Sequence, residues 1–235
     1  KEIPTRVPAE SELKLTPGAA YLHITSNETI SGAQWKTFPK SEAPLVADMS
    51  SDILSRPFDI ARFGLVYAGA QKNLGPSGIA LAVIRKDLAD RAPASVPAML
   101  RYKTYIEEQS LYNTPPTFSI YIMMLVSRWI LKQGLETLYR RNVEKAGLVY
   151  ALLGAGGFYR GTARPECRSD MNITFRLPSE DLEARFVKEA SLQGLKGLKG
   201  HRSVGGIRAS VYNACPLEGV QALVSFMKEF ERKNG

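Results

Sequence analysis

Short apolar runs in the first part of the chain and helical periods in the rest set the expected architecture. Tyr21–Thr25 alternates well enough for a strand and leads into the polar stretch Ser26-Asn27-Glu28-Thr29. Leu45–Asp48, Leu65–Ala68 and Ile79–Ile84 are brief and almost wholly apolar, the pattern of parallel strands covered on both faces. Asp52–Arg62 is expected to hold a short helical turn and a connection. Ala89–Tyr105 contains Pro93 and Pro97 and reads as loop, and residues 1–20 show no firm periodicity.

Further on, Asn113-Thr114-Pro115-Pro116 reads as a helix start, with Thr114 as N-cap and prolines in the first turn. The helix should run from about Pro116 to Gln133 and stop at Gly134. Ile120, Tyr121, Met123, Leu125, Trp129 and Ile130 occupy nearly every face of it, which predicts burial. A second helix, Leu135–Leu153, ends in Gly154-Ala155-Gly156-Gly157, a cluster expected to open a second domain. There the pattern becomes α+β: a strand over Asn172–Leu177, a Ser179-capped helix to Gln193 and a strand over Ile207–Tyr212. A final helix starts at Pro216, with Val220, Leu223, Val224, Met227 and Phe230 on one face. There is no internal repeat and no low-complexity tract.

Composition narrows the options. The chain has 235 residues, 44% hydrophobic and 23% charged, enough for one large or two modest domains of ordinary globular type. Net charge is +8 and the pI about 9.5, but Lys and Arg are scattered rather than clustered with aromatics, which argues against nucleic acid. Several cations stand near LKGHRSVGG, a placement that suits a small anionic substrate. Cys167 and Cys215 lie far apart in a chain with two His, so no metal site is expected, and a reducing compartment fits. The longest apolar run, Ile120–Val126, is too short to span a bilayer, and Lys1–Lys14 has no signal-peptide pattern. No membrane association is expected.

The chemistry concentrates at Gly64–Gly78, GLVYAGAQKNLGPSG. A strand ends in small residues, a polar loop carries Gln71, Lys72 and Asn73, and a second strand follows. Lys72 can be a surface lysine of a β-hairpin. The sharper alternative is a nucleophile, because a lysine in a confined, partly desolvated site has a lowered pKa. Asp48, at the end of an earlier strand, can be a turn former. An Asp strand followed by a Lys strand is also what a pyridoxal phosphate enzyme needs: a carboxylate for the pyridine nitrogen and an amine for the aldehyde.

The blocks ITSNETISG, ADMSSDILSRP, YAGAQKNLGPSG, LYNTPP and LKGHRSVGGIRASVYNA resemble, in order and over essentially the whole chain, the phosphoserine aminotransferase family. Those are fold-type I enzymes using pyridoxal 5′-phosphate (PLP). The resemblance implies an α/β fold: part of a large PLP-binding domain with a mostly parallel sheet (residues 1–138), then a small C-terminal α+β domain (residues 139–235). It implies that Lys72 forms the Schiff base and moves the α-proton, and that Asp48 partners the ring nitrogen. Thr29 and Gln71 would contact the cofactor, and Asn113 and Thr114 would reach its phosphate from the other subunit of a homodimer. Arg208 would grip the substrate α-carboxylate. His201 and Arg202 would bind the distal phosphate or carboxylate across the dimer interface. The implied reaction transfers the amino group of glutamate to 3-phosphohydroxypyruvate in cytoplasmic serine biosynthesis. Family members carry a long N-terminal stretch before the matching blocks, with a phosphate-binding turn, a ring-stacking aromatic and a further arginine. The expectation is therefore an N-terminal portion missing from this chain.

Each of these residues also has a plainer reading: Thr29 in a turn, Asn113 and Thr114 at a helix start, Arg208 as a solvated strand residue, His201 as structural beside glycines. Among whole-chain alternatives, an alanine–glyoxylate transaminase or cysteine desulfurase type is disfavoured by HRSVGGIRAS and by the lack of a cysteine in a mobile loop. A PLP-fold remnant acting as a binding subunit is a second alternative. A nucleic-acid binder rests on net charge alone.

Overall fold

In the computed structural model, which describes residues 4–154 and 157–235, the early apolar runs form one sheet. Its strands are β1 (Leu22–Thr25), β2 (Leu45–Asp48), β3 (Phe63–Gly69) and β4 (Ala80–Ile84), in the order β1-β2-β3-β4. β1, β2 and β3 run parallel, as expected. β4 departs from expectation: it is antiparallel to β3, from Leu65↔Ile84 to Gly69↔Ala80, and three of its five residues are exposed. The tight turn between them explains this. Ala70 C=O accepts from Lys72 N–H and Gly75 N–H, and Ala70 N–H donates to Ile79 C=O, which leaves no length for the crossover a parallel partner needs. Ile24, Leu45, Ala47, Met49, Phe63, Val66 and Ala68 form the core beneath the sheet. Phe38, Phe58 and Phe63 pack edge to face beside it, with centroids 4.9–6.3 Å apart.

The segment expected to be loop, Ala89–Tyr105, begins at the end of a short helix α1 (Lys86–Ala89), holds a 3-10 turn at Ala98–Leu100 and runs into a second short helix α2 (Tyr102–Glu107). Pro97 stands immediately before that turn, where its missing N–H costs nothing. The long helix α3 spans Thr117–Gln133 and ends at Gly134, whose φ of +79° favours glycine. Thr114 does not cap it: Pro116 holds the N-cap position and there is no side-chain cap. Nor is α3 buried. Ile130 is its one buried residue, while Phe118 and Leu131 are 74% and 81% exposed. Met123 touches the first core, and Leu125, Val126 and Trp129 line a cavity with Lys72, while Phe118, Ile120, Tyr121 and Leu131 stay exposed.

α4 (Leu135–Leu153) turns Leu138, Ala146, Val149 and Leu153 inward at helical spacing. It covers a second, antiparallel sheet of β5 (Arg160–Gly161), β6 (Asn172–Arg176) and β7 (Ile207–Ser210), together with α5 (Glu180–Leu192) and α6 (Leu217–Asn234). Ser179 caps α5, its hydroxyl accepting from Leu182 N–H at 3.2 Å. α6 buries Val220, Leu223, Phe226, Met227 and Phe230. Phe186 sits at the centre, fully buried against Phe175, Phe226 and Phe230. Ala155 and Gly156, in the glycine cluster read as a domain opening, lie outside the described residues. Among the described residues no helix is long and apolar enough to cross a membrane.

Candidate active site

Two parallel strands end side by side, with Asp48 on β2 in register with Tyr67 on β3. The carboxyl ends of parallel strands are where open α/β sheets bind ligands, because the chain turns away there and leaves side chains uncovered. Asp48 Oδ1 accepts from Ser50 N–H at 2.8 Å, which fixes the carboxylate at the strand end. Its charge, after burial, pushes the Tyr67 hydroxyl pKa up, and that hydroxyl lies 3.0 Å from His23 Nε2 on β1.

β3 then runs through Gly69 and Ala70 into the turn that carries Lys72. Its Nζ donates to Thr29 Oγ1 at 2.9 Å, on the loop leaving β1. Burial lowers the Lys72 pKa, the Asp48 charge opposes the shift and the Arg208 charge adds to it. A hydroxyl partner orients the amine without supplying the negative charge that would hold it as ammonium.

Arg208 reaches this group from the second sheet, on β7 opposite Thr174 of β6. Its Nε is buried and has no hydrogen-bond partner among the described residues. Arg208 and His201 line one cavity of about 240 Å³ together with Ile30 and Thr174. His201 Nδ1 lies 2.7 Å from Ser203 Oγ and accepts from Ser203 N–H at 3.3 Å. Arg202 lines a separate cleft with Glu180 and Glu183. Gln71 is exposed and folds over Gly69, where a Cβ would come 2.5 Å from Gln71 Oε1. Asn113 and Thr114 are exposed in the turn before α3, with Asn113 Nδ2 donating to Thr114 C=O at 3.3 Å. The fold thus gathers Lys72, Thr29, Asp48 and Arg208. His201 approaches through the shared cavity. Gln71, Arg202, Asn113 and Thr114 make no hydrogen bond to the group.

Sequence reasoning missed the buried polar residues behind the site. Asn73, next to Lys72, donates to Ile53 C=O at 3.0 Å and accepts from Asn213 N–H at 3.0 Å. Asn213 donates to Leu54 C=O and accepts from Asn142 Nδ2, both at 2.8 Å. Leu54 has a φ of +53°, a costly conformation held by this network. The lysine turn is thereby tied to the segment that follows β7. A second network joins Asn27 to Ser51 and to Asn172, each at 2.8 Å, and so links the β1 loop to β6. Under both sits Asp52, wholly buried, accepting from Ser26 and Gln34, with its pKa raised by burial. The available signal was polar residues embedded in apolar context, as in Lys72-Asn73-Leu74 and Val211-Tyr212-Asn213.

A partly desolvated lysine beside a carboxylate and an arginine is the donor set of an enzyme that handles amino and keto acids. The sequence profile of the aminotransferase class-V family matches residues 5–223, and the chain belongs to that family. Within it, the chain is 60% identical to the phosphoserine aminotransferase of Desulfosudis oleivorans, over 95% of this chain and 63% of the relative. The solved phosphoserine aminotransferase from Bacillus circulans subsp. alkalophilus superposes with a TM-score of 0.95 at 57% identity, covering 97% of this chain and 64% of that one. A PLP-bound phosphoserine aminotransferase from Trichomonas vaginalis matches with a TM-score of 0.91 at 41% identity, over 96% of this chain and 64% of that one. The fold is therefore the expected α/β one of PLP-dependent fold-type I aminotransferases, and the chain spans 63–65% of the length of the curated relatives it matches.

Proposed function

We propose that the protein works as a phosphoserine aminotransferase, moving the amino group of L-glutamate to 3-phosphohydroxypyruvate to give O-phosphoserine and 2-oxoglutarate, a step of serine biosynthesis. One observation carries the reading: the half-buried Lys72 amine, with its lowered pKa, is aimed by Thr29 into a site bearing Asp48 and Arg208. The same donor set fits PLP, with an amine for its aldehyde and a carboxylate for its ring nitrogen. When bound, that cofactor supplies an electron sink for the substrate α-carbon.

The chain's own residues divide the remaining work. Lys72, drawn toward its neutral form by burial, can take the proton from the α-carbon and return it. Thr29 orients the amine. Asp48 holds a proton at the ring nitrogen. Arg208, with an unpartnered Nε, offers a guanidinium fork to the α-carboxylate. His201 and Arg202 take the distal anion, and Gln71, Asn113 and Thr114 contact the cofactor or its phosphate. The exposure of Asn113 and Thr114, beside the uncovered apolar residues Phe118 and Tyr121, supports a homodimer in which they serve a partner's site. Two separate hydrophobic clusters support a division into units near residue 138. A cytoplasmic location accords with small soluble substrates. The relatives' further length belongs to this proposal, which concerns the whole protein.

The direct test is transamination by the natural full-length protein with added PLP, followed as 2-oxoglutarate release. Lys72→Ala is expected to abolish it. Near-normal turnover by that variant would remove Lys72 from the reaction.

A further inference from the structure

The segment that presents His201 and Arg202 is held from below by an ion pair with no part in the mechanism above. Glu183 lies on α5 and is 7% exposed. Its Oε1 accepts from Arg176 Nε and from Leu177 N–H, and its Oε2 accepts from Gly206 N–H at 3.0 Å. Arg176, at the end of β6, also donates through Nη1 to Val204 C=O at 2.9 Å. One buried carboxylate and its guanidinium partner therefore grip the loop at two backbone atoms, Gly206 N and Val204 O. A buried carboxylate needs such donors to remain charged, so the grip is a charge-assisted one.

The loop is shaped to fit this grip. Gly200 N–H donates to Gly206 C=O at 2.8 Å, and Gly205 N–H to His201 C=O at 2.9 Å, closing the loop at its base. Gly206 has a φ of +71°, and a Cβ there would meet Arg176 Cδ at 2.7 Å and Phe175 C=O at 2.9 Å. Arg176 thus lies against a residue that has to be glycine. His201 and Arg202 themselves have little to hold them, since His201 bonds only within the loop, to Ser203.

We propose that Glu183, acting through Gly206 N–H and Arg176, is the positioning residue that sets the 200–206 loop for anion binding. The inference rests on the reading of His201 and Arg202 as the distal-anion residues. It assigns a role to Glu183 and Arg176 that acts through the loop backbone, although Arg176 also lines the cavity of Arg208 and His201. Removing the clamp loosens the loop and weakens capture of the phosphorylated substrate, while Lys72, in the turn after β3, keeps its bond to Thr29.

The experiment compares Glu183→Gln and Arg176→Gln with the unaltered full-length protein by amide hydrogen exchange and by initial rates. Arg176 has a side chain 40% exposed, so its variant keeps the core even if Glu183→Gln does not fold. Both variants are expected to exchange faster across residues 200–206. Both should raise KM for 3-phosphohydroxypyruvate, Glu183→Gln by about tenfold, the loss of one charge-assisted hydrogen bond. The rate at saturation and the absorption spectrum of the Lys72-bound cofactor should stay unchanged. Unchanged exchange overturns the clamp. Faster exchange with an unmoved KM, or a fall in the saturated rate instead, overturns its role in positioning. Absence of turnover by the unaltered protein is a different result: it refutes the activity on which the inference rests.

Discussion

Lys72 Nζ meets Thr29 Oγ1 at 2.9 Å, so the amine at the end of β3 is pinned to the loop leaving β1, across the strand end that carries Asp48. A neutral hydroxyl in this place directs the amine and leaves its charge unsupported. Burial then dominates its titration.

The first consequence is a pH-dependent stability. The folded-state pKa of Lys72 lies below its unfolded value, so the unfolded chain binds more protons and stability rises with pH between the two. Below the unfolded-state pKa the cofactor-free protein carries a cost for holding Lys72 in a desolvated place. Lys72→Met should therefore be more stable than wild type near neutrality, with the gain shrinking as pH approaches about 10.4, where the unfolded lysine also loses its proton. Urea unfolding across that range checks this. A gain that does not change with pH contradicts it.

Arg208 offers an unpartnered, buried Nε in the cavity it lines with His201, Thr174 and Ile30. Replacing it with Lys keeps the charge and removes the planar fork. The KM for glutamate should rise by about tenfold or more. Initial-rate kinetics decide the matter, and an unchanged KM would place the α-carboxylate elsewhere.

Asn213 joins the lysine turn to the second sheet. Asn213→Ala leaves the part-buried Leu54 carbonyl without its donor and Asn142 without one acceptor, each costing about 1–3 kcal/mol. A loss of about 2–4 kcal/mol in chemical denaturation is expected. A loss no larger than that of an exposed surface substitution would show that the network is not formed.

Phe186 and Phe118 contrast a buried aromatic with an exposed one. Phe186 is fully buried among aromatics, and Phe186→Ala should cost about 3–5 kcal/mol. Phe118 is 74% exposed, so Phe118→Glu should leave the fold intact and shift the sedimenting species of the full-length protein from dimer to monomer. A dimer that persists in this variant places the interface on another face.

The legible parts of the fold were those with local causes. β2 runs over Leu45–Asp48 as read, because an apolar run there ends at a turn-forming acid. α4 runs over Leu135–Leu153 as read, between two glycines that cannot extend it cheaply. Ser179 caps where a short polar residue precedes a helical period. The direction of β4 was not legible, since it depends on how tightly residues 70–79 close. Nor was the exposure of α3: an apolar face looks the same whether its cover is this chain or another. Lys72 and Asp48 stood out as chemistry at strand ends. The Asn73–Asn213 bond joins residues 140 positions apart, and no local pattern announces it. Asn113 and Thr114 rest on resemblance together with their exposure.

The central claim is that Lys72 is the residue that carries the cofactor. Incubating the natural full-length protein with PLP, reducing with borohydride and mapping the phosphopyridoxyl group by mass spectrometry tests it most directly. The label is expected on Lys72. Label on another lysine instead, such as Lys145 with its three carbonyl partners, or no label at all, would contradict it.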